Sequence, residues 1–500
     1  MMSVSLVDPN ADHSVAVMGM DTFERRMRSF YRLVGLFIVI MGGVSSVLDF
    51  NFVFLITYIF FGMATFYFSK KVKDMAMLHL ILHPSTLYLF TTMIFALGNG
   101  NVSLMGLVNK TSSSAVIFIY QTAIILAYVI YCGVVSWRGR SYITKLGRKF
   151  RFTKTVIFSI VIIVLYSIAE SEKIVGITSA KYAILAVYLT LCVALYERAK
   201  GGNKKILIFI ISITCTLLIA ALVNRRSGVF VAILVWIILY VYSARRLITL
   251  NAIGLVFLGS FVLNVATNSF IQVRTDYQMG RLTSFGLSTL EAALDPQNVL
   301  YSIPFLSSTE RVFSFSERSN KNYSELLASN GTEQDLSIGS RLSLFARMDI
   351  VTGRLGTGVV PDWSRLGLMT LSALPDYGQD KQLLVSDQII WGLGLLPKEV
   401  IGRPLVTVAG ELYAVGGFLG MFTVTLISFF LIFVIFHIIR LQIGYCIEYI
   451  ICCVAATYNI AFTGTSVDMF LLILRNSIII IFLIYLFKGL FKPERVPGNA

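Results

Sequence analysis

Apolar runs of 14 to 24 residues recur from one end of the chain to the other. They fall at 31–47, 52–68, 75–97, 115–137, 156–169, 182–196, 206–223, 229–243, 253–266, 416–439, 447–462 and 469–487. A hydrocarbon core of about 30 Å requires roughly 20 such residues per helix, and lipid offers the backbone no hydrogen-bond partner outside the segment itself. The expected fold is therefore an all-α polytopic membrane protein with about twelve transmembrane helices. A sequence that is 56% hydrophobic and 14% charged excludes an ordinary soluble domain.

Charge sets the expected topology. The net charge of +15 would point to nucleic acid in a soluble protein, but here it is concentrated in short connectors. Arg25, Arg26, Arg28 and Arg32 precede the first run, Lys70, Lys71 and Lys73 follow the second, and Arg138 to Lys154 hold the most basic connector. Cytoplasmic connectors carry such an excess, so the charge reports orientation and no nucleic-acid partner is expected. Both termini are placed inside. The expected division is a cytoplasmic tail at 1–29, nine transmembrane helices over 30–266, a large outer loop at 267–405, three more helices over 406–490 and a cytoplasmic tail at 491–500. Residues 1–29 are polar and carry Asp8, Asp12, Asp21 and Glu24, unlike a cleavable signal peptide. All six cysteines lie in or beside apolar runs, which argues against a disulfide framework or a metal site. His83-Pro84 marks a kink within the third run.

The loop at 267–405, roughly 140 residues long, is the one extended polar interruption, and connections of that size are usually functional or disordered. Its sequence favours order. Leu342, Leu344, Phe345, Met348 and Ile350 have mixed helical spacing, which predicts a short helix over 341–351. Gly353 to Gly358 then stops that helix and permits a tight turn with positive φ. Immediately after the loop come Gly410-Glu411-Leu412-Tyr413 and the glycines Gly416, Gly417 and Gly420.

Several charges sit where this topology does not leave them free. Arg225 and Arg226 join two apolar runs in a short outer turn, against the positive-inside tendency. Two roles fit them: bidentate binding of an anion such as a lipid-linked pyrophosphate, or contact with lipid head groups. Arg475 lies a turn or two inside the last run, where a charge faces a wet cavity or a partner; Asp468 and Glu170 are the candidate ion-pair partners. Glu411, near the outer mouth of the run after the loop, suits acceptance of a proton from a hydroxyl, or pairing with a loop arginine. The histidines are placed at the inner side (His13, His437) or in the inner half of a run (His79, His83), away from any reaction on the outer face.

Three local patterns together resemble the Wzy-type O-antigen polymerases and the O-antigen ligases. Asn224-Arg225-Arg226-Ser227-Gly228 is similar to their Ser-Arg-Gly-like turn. Ser340-Arg341, the following helix, and Gly353-Arg354-Leu355-Gly356-Thr357-Gly358 are similar to their loop arginine, amphipathic helix and Gly-x-Gly turn. Gly410-Glu411-Leu412-Tyr413 is similar to a segment of repeat-unit polymerases. The motifs cover Asn224 to Gly420; the first six runs match only as apolar architecture. Ligases carry a histidine near the start of the helix after the loop, and its absence here favours a polymerase.

The resemblance implies a GT-C-like glycosyltransferase of the bacterial inner membrane, acting on the periplasmic face on undecaprenyl-pyrophosphate-linked glycan as donor and acceptor. It implies no metal and no cofactor, with membrane lipid and a chain-length-regulating protein as further partners. Arg226 and Arg341, with Arg225 and Arg347, would face the pyrophosphate, because guanidinium stays charged without proton transfer of its own. Glu411 would be base or acceptor-positioning group, with Asp349 in reserve. Arg354, Gly356, Gly358, Tyr413 and Arg475 complete the expected substrate site. The alternatives are a ligase moving glycan to lipid A core, and a lipid-linked-oligosaccharide flippase or other transporter. The sequence lacks the internal repeats and the concentration of intramembrane charge expected of a transporter.

Overall fold

A computed structural model of the chain describes residues 11–48, 52–93 apart from 83 and 91, 111–137, 348–371 apart from 349, 350, 354 and 357, and 407–443. Residues 211, 389, 392, 393, 449, 450 and 453 are described singly. Among the described residues every regular element is helical: α1 (Ala11–Leu48), α2 (Phe52–Lys71), α3 (Met75–Ile81), a π-helical segment (Ser85–Phe90), α4 (Thr111–Trp137), α5 (Trp363–Leu371) and α6 (Val408–Ile443). Among the described residues, four stretches are long and apolar enough to cross a membrane: Glu24–Leu48, Phe52–Lys71, Ser113–Val135 and Val408–Leu441. The described part of the chain is that of an all-α membrane-embedded protein. The expected runs at 156–266 (apart from Ile211) and 469–487, most of 447–462 and most of the outer loop lie outside the described residues.

α1 and α2 form a close antiparallel hairpin. Between helices surrounded by lipid, apolar side chains gain little by meeting one another, so small residues that let backbones approach carry the packing. A Cβ on Gly62 would stand 2.1 Å from Val39 Cγ2, and one on Gly42 would stand 2.3 Å from the Tyr58 ring. The buried hydroxyls in this interface are turned back onto their own helices, Ser46 Oγ donating to Gly42 O at 2.6 Å and Thr65 Oγ1 to Phe61 O at 2.7 Å.

The third apolar run is broken where the His83-Pro84 pair predicts. α3 ends at Ile81, and the chain resumes as a π-helical segment from Ser85. Proline lacks the N–H that a continuous helix would use, so carbonyls near the break need other donors. Gln121 of α4 donates to Ile81 O at 2.7 Å, and Ser85 Oγ donates to Leu82 O at 2.9 Å. α4 in turn packs on α6 through aromatic rings: Tyr120 on Phe429, Tyr128 and Tyr131 on Phe433, and Tyr131 on His437.

One end of this bundle is basic and tightly bonded. Arg28 of α1 donates from Nη1 to Ser69 O (3.1 Å) and Val72 O (2.5 Å), and from Nη2 to Lys73 O (2.6 Å), gathering the carbonyls of the turn between α2 and α3. Asp74 caps α3 by accepting from the amides of Ala76 and Met77. Its second oxygen accepts from Arg440 Nη1 of α6 at 2.9 Å and from the Tyr449 hydroxyl at 3.0 Å. Burial pushes the Asp74 carboxyl upward from its ordinary range, while Arg440 and the hydrogen bonds pull it back. The residues read from sequence as topological markers, Arg28, Lys70, Lys71, Lys73 and Arg440, thus share one end of the bundle.

Candidate functional site

The opposite end of α6 brings two of the three sequence patterns together. α6 starts at Val408, eight residues before the apolar run read from sequence, because Thr407 serves as its N-cap: Thr407 Oγ1 accepts from Gly410 N at 3.2 Å, and Thr407 O accepts from Glu411 N at 2.9 Å. Glu411 therefore lies in the first turns of a helix, where backbone N–H groups favour negative charge. It is 0% exposed. A buried carboxylate is costly without such compensation, so its placement is a specific feature of the site.

The helix does not run straight. Gly417 adopts φ 56°, ψ −162°, a conformation essentially restricted to glycine, and divides the element into a short N-terminal piece and a long one over 418–443. Glycine is also required by proximity, since a Cβ at Gly417 would stand 2.3 Å from Val359 O. The chain from Gly356 to Pro361 passes over this kink. The Asp362 amide donates to Val415 O at 2.9 Å, and the Tyr413 hydroxyl donates to Gly356 O at 2.5 Å. Gly356 itself has φ 69° and ends a short helical stretch through its amide bond to Thr352 O at 3.0 Å. The expected stop and positive φ are found there. Gly358 does not take a positive φ, and a Cβ there would meet open space, so its backbone conformation does not require glycine.

Downstream, α5 is capped by Asp362, whose Oδ1 accepts from Arg365 N (3.0 Å) and Ser364 Oγ (2.7 Å). Those two hydrogen bonds hold its carboxyl below the ordinary range. Leu366 of α5 then seats against Gly416 and Gly420 of α6. Met348 and Val351, from the predicted loop helix, and Thr352 just after it are buried.

Compared with protein-family models, characterised proteins and solved structures, the chain gives no match.

Of the residues expected in the site, Glu411, Tyr413, Gly356 and Gly358 are described, and the structure joins Tyr413 directly to Gly356. Arg225, Arg226, Arg341, Arg347, Asp349, Arg354 and Arg475 lie outside the described residues. One neighbour was not anticipated. Tyr88 of the π-helical segment is buried with its hydroxyl bonded to Thr407 and the Ala409 backbone, and Glu411 acts on it electrostatically. Segments of π-helix recur at functional sites because they re-aim side chains relative to the α-helical frame. Pro84 announced a break, but no sequence signal placed Tyr88 on the cap of a helix more than 300 residues later. Thr407 before an apolar run was a readable cap signal. His79 and His437 accept or donate hydrogen bonds at 3.0 and 2.9 Å with Tyr31 and Tyr131 and belong to the helix packing.

Proposed function

We propose that this chain is a multi-pass glycosyltransferase of the bacterial inner membrane, with about twelve spans, a GT-C-like arrangement and a large periplasmic loop. It polymerises undecaprenyl-pyrophosphate-linked oligosaccharide repeat units into O-antigen or a related surface polysaccharide. The acceptor hydroxyl attacks the anomeric carbon of the donor, the new glycosidic bond forms as the bond to pyrophosphate breaks, and the lipid pyrophosphate departs with the electron pair. Arg226 and Arg341, with Arg225 and Arg347, stabilise the negative charge that develops on it. Glu411 takes the acceptor proton or orients the hydroxyl, with Asp349 in reserve.

One observation carries this reading. Residues 57 apart in sequence, from the Gly-x-Gly turn and the Gly-Glu-Leu-Tyr segment, meet in the bond from Tyr413 to Gly356, two residues along the helix from the buried Glu411. A reaction centre assembled from a loop and the mouth of a helix needs that convergence, and lipid-facing packing alone does not call for a carboxylate there.

Deletion of the gene in its own host, followed by gel analysis of surface polysaccharide, tests the proposal. Collapse of a long ladder to core bearing one repeat unit is the expected result. Loss of all attached glycan with lipid-linked polymer accumulating outside would identify a ligase, and accumulation of single units on the inner leaflet a flippase. In complementation, Arg341→Ala and Glu411→Gln are expected to abolish long chains at normal protein level; wild-type chain length would remove those residues from the mechanism.

A further inference from the structure

The depth of α6 in the bilayer can be worked out from the bonds at its basic end. Arg440 is tied to Asp74 at 2.9 Å, beside the end of α2 and the turn after it, which carry Lys70, Lys71 and Lys73 and whose carbonyls hold Arg28. Four helices therefore share one polar plane there, as expected of an interface. The 20 residues of α2, ending at Lys71, measure about 30 Å at a rise of about 1.5 Å each, which matches one hydrocarbon thickness. The same 20 residues counted back from Arg440 along α6 reach Met421, next to Gly420. The second boundary of the apolar layer therefore falls beside Gly416 and Gly420, where Leu366 of α5 is seated.

The surface pattern agrees with that level. Leu419, Ile427, Leu431, Ile438 and Leu441 form one exposed apolar stripe along α6, the face turned to lipid. The stripe reaches Leu419, 61% exposed, which lies between the two glycines under Leu366, and the apolar surface continues onto α5 and its approach. Val360 is 81% exposed and Trp363 is 52% exposed, whereas Leu366 on the same face as Trp363 is buried against α6. Asp362 and Ser364, both exposed, supply the polar side. An aromatic residue with an apolar body and a polar N–H, next to an unusually exposed valine at the edge of the hydrocarbon, fits the interface between acyl chains and head groups.

We infer that α5 is an interfacial helix, with Trp363 and Val360 inserted at the head-group level of the lipid around α6, anchoring the Gly356–Pro361 crossing over the kink. The occupant of this surface is lipid, argued from its continuity with the lipid-facing stripe of α6. The inference does not depend on the reaction proposed above. It does place Glu411 and Tyr413, nine and seven residues beyond Gly420, roughly 10–14 Å past the hydrocarbon edge as an upper limit for an unbent path. That is the layer in which a lipid head group lies.

The test is tryptophan quenching in the full-length protein reconstituted into phosphatidylcholine vesicles whose acyl chains are brominated either near the head group or near the bilayer centre. The protein has four tryptophans, so the contribution of Trp363 is read as the difference between the unmodified chain and Trp363→Phe. It is read again from a variant that keeps Trp363 alone (Trp137→Phe, Trp236→Phe, Trp391→Phe). Shallow bromines are expected to remove most of the Trp363 emission and central bromines little of it. Quenching by aqueous iodide without quenching by bromine would put the helix in water and overturn the inference. Resistance to both quenchers would mean that protein covers Trp363, and would overturn it equally.

Discussion

Gly417→Ala puts the link between kink and loop to a direct test. The backbone at φ 56°, ψ −162° costs an L-residue about 1–3 kcal/mol by itself. The added methyl also meets Val359 O at 2.3 Å, well inside contact distance, so the 356–362 crossing has to move away from α6. That movement breaks the bond from Asp362 N to Val415 O and the one from Tyr413 to Gly356 O, each contributing about 1 kcal/mol. The loss of docking energy is thus about 3–5 kcal/mol, and since roughly 1.4 kcal/mol is a factor of ten, local opening becomes at least about a hundredfold more frequent. Hydrogen exchange of the Asp362 amide, which bonds Val415 O across the crossing, reads this opening directly in detergent or nanodiscs. Gly133→Ala in α4, where a Cβ meets open space, is the control and is expected to leave that exchange unchanged. Exchange in Gly417→Ala equal to that of the unmodified protein would refute the argument that glycine is required at the kink.

Three further outcomes are expected. Arg440→Met leaves the Asp74 carboxyl buried beside an apolar chain; because Arg440 is itself partly exposed, the cost is about 2 kcal/mol, below the roughly 3–5 kcal/mol of a fully buried pair. Adding Asp74→Asn, which keeps the cap on α3, recovers about half of it in a thermal-denaturation series, and a double variant as unstable as the sum of the singles would argue against the pairing. Tyr413→Phe removes one hydroxyl at nearly constant shape and is expected to weaken the crossing by about 1 kcal/mol, seen as about fivefold faster exchange at the Asp362 amide, which bonds Val415 O across the same crossing, with α6 itself unaffected. Asp362 has a depressed folded pKa, so its contribution to α5 is fully present above the ordinary carboxylate range and is lost as the pH falls through the lowered value; exchange at the Arg365 amide, corrected for its intrinsic pH dependence, is expected to accelerate in that acid window only.

The resemblance marked out the loop turn and the Glu411 segment, and the tertiary structure supplied their contact. Arginines named on the same grounds lie outside the described residues, so their roles stand as part of the proposed function. Tyr88 was not legible, because its partners Thr407 and Ala409 are distant in sequence and its direction depends on a π-helical segment.

Sequence alone determined that the chain builds apolar helices, that one end of the bundle is basic, and that Pro84 interrupts one of them. These follow from segment length, charge position and backbone chemistry, all of which act locally. The hairpin contact at Gly42 and Gly62, the capture of Arg440 by Asp74 and the crossing of Val359 over Gly417 were decided only by tertiary structure. Each joins residues remote in sequence through a single close approach, and periodicity carries no record of which distant backbone will occupy the space that a glycine leaves open.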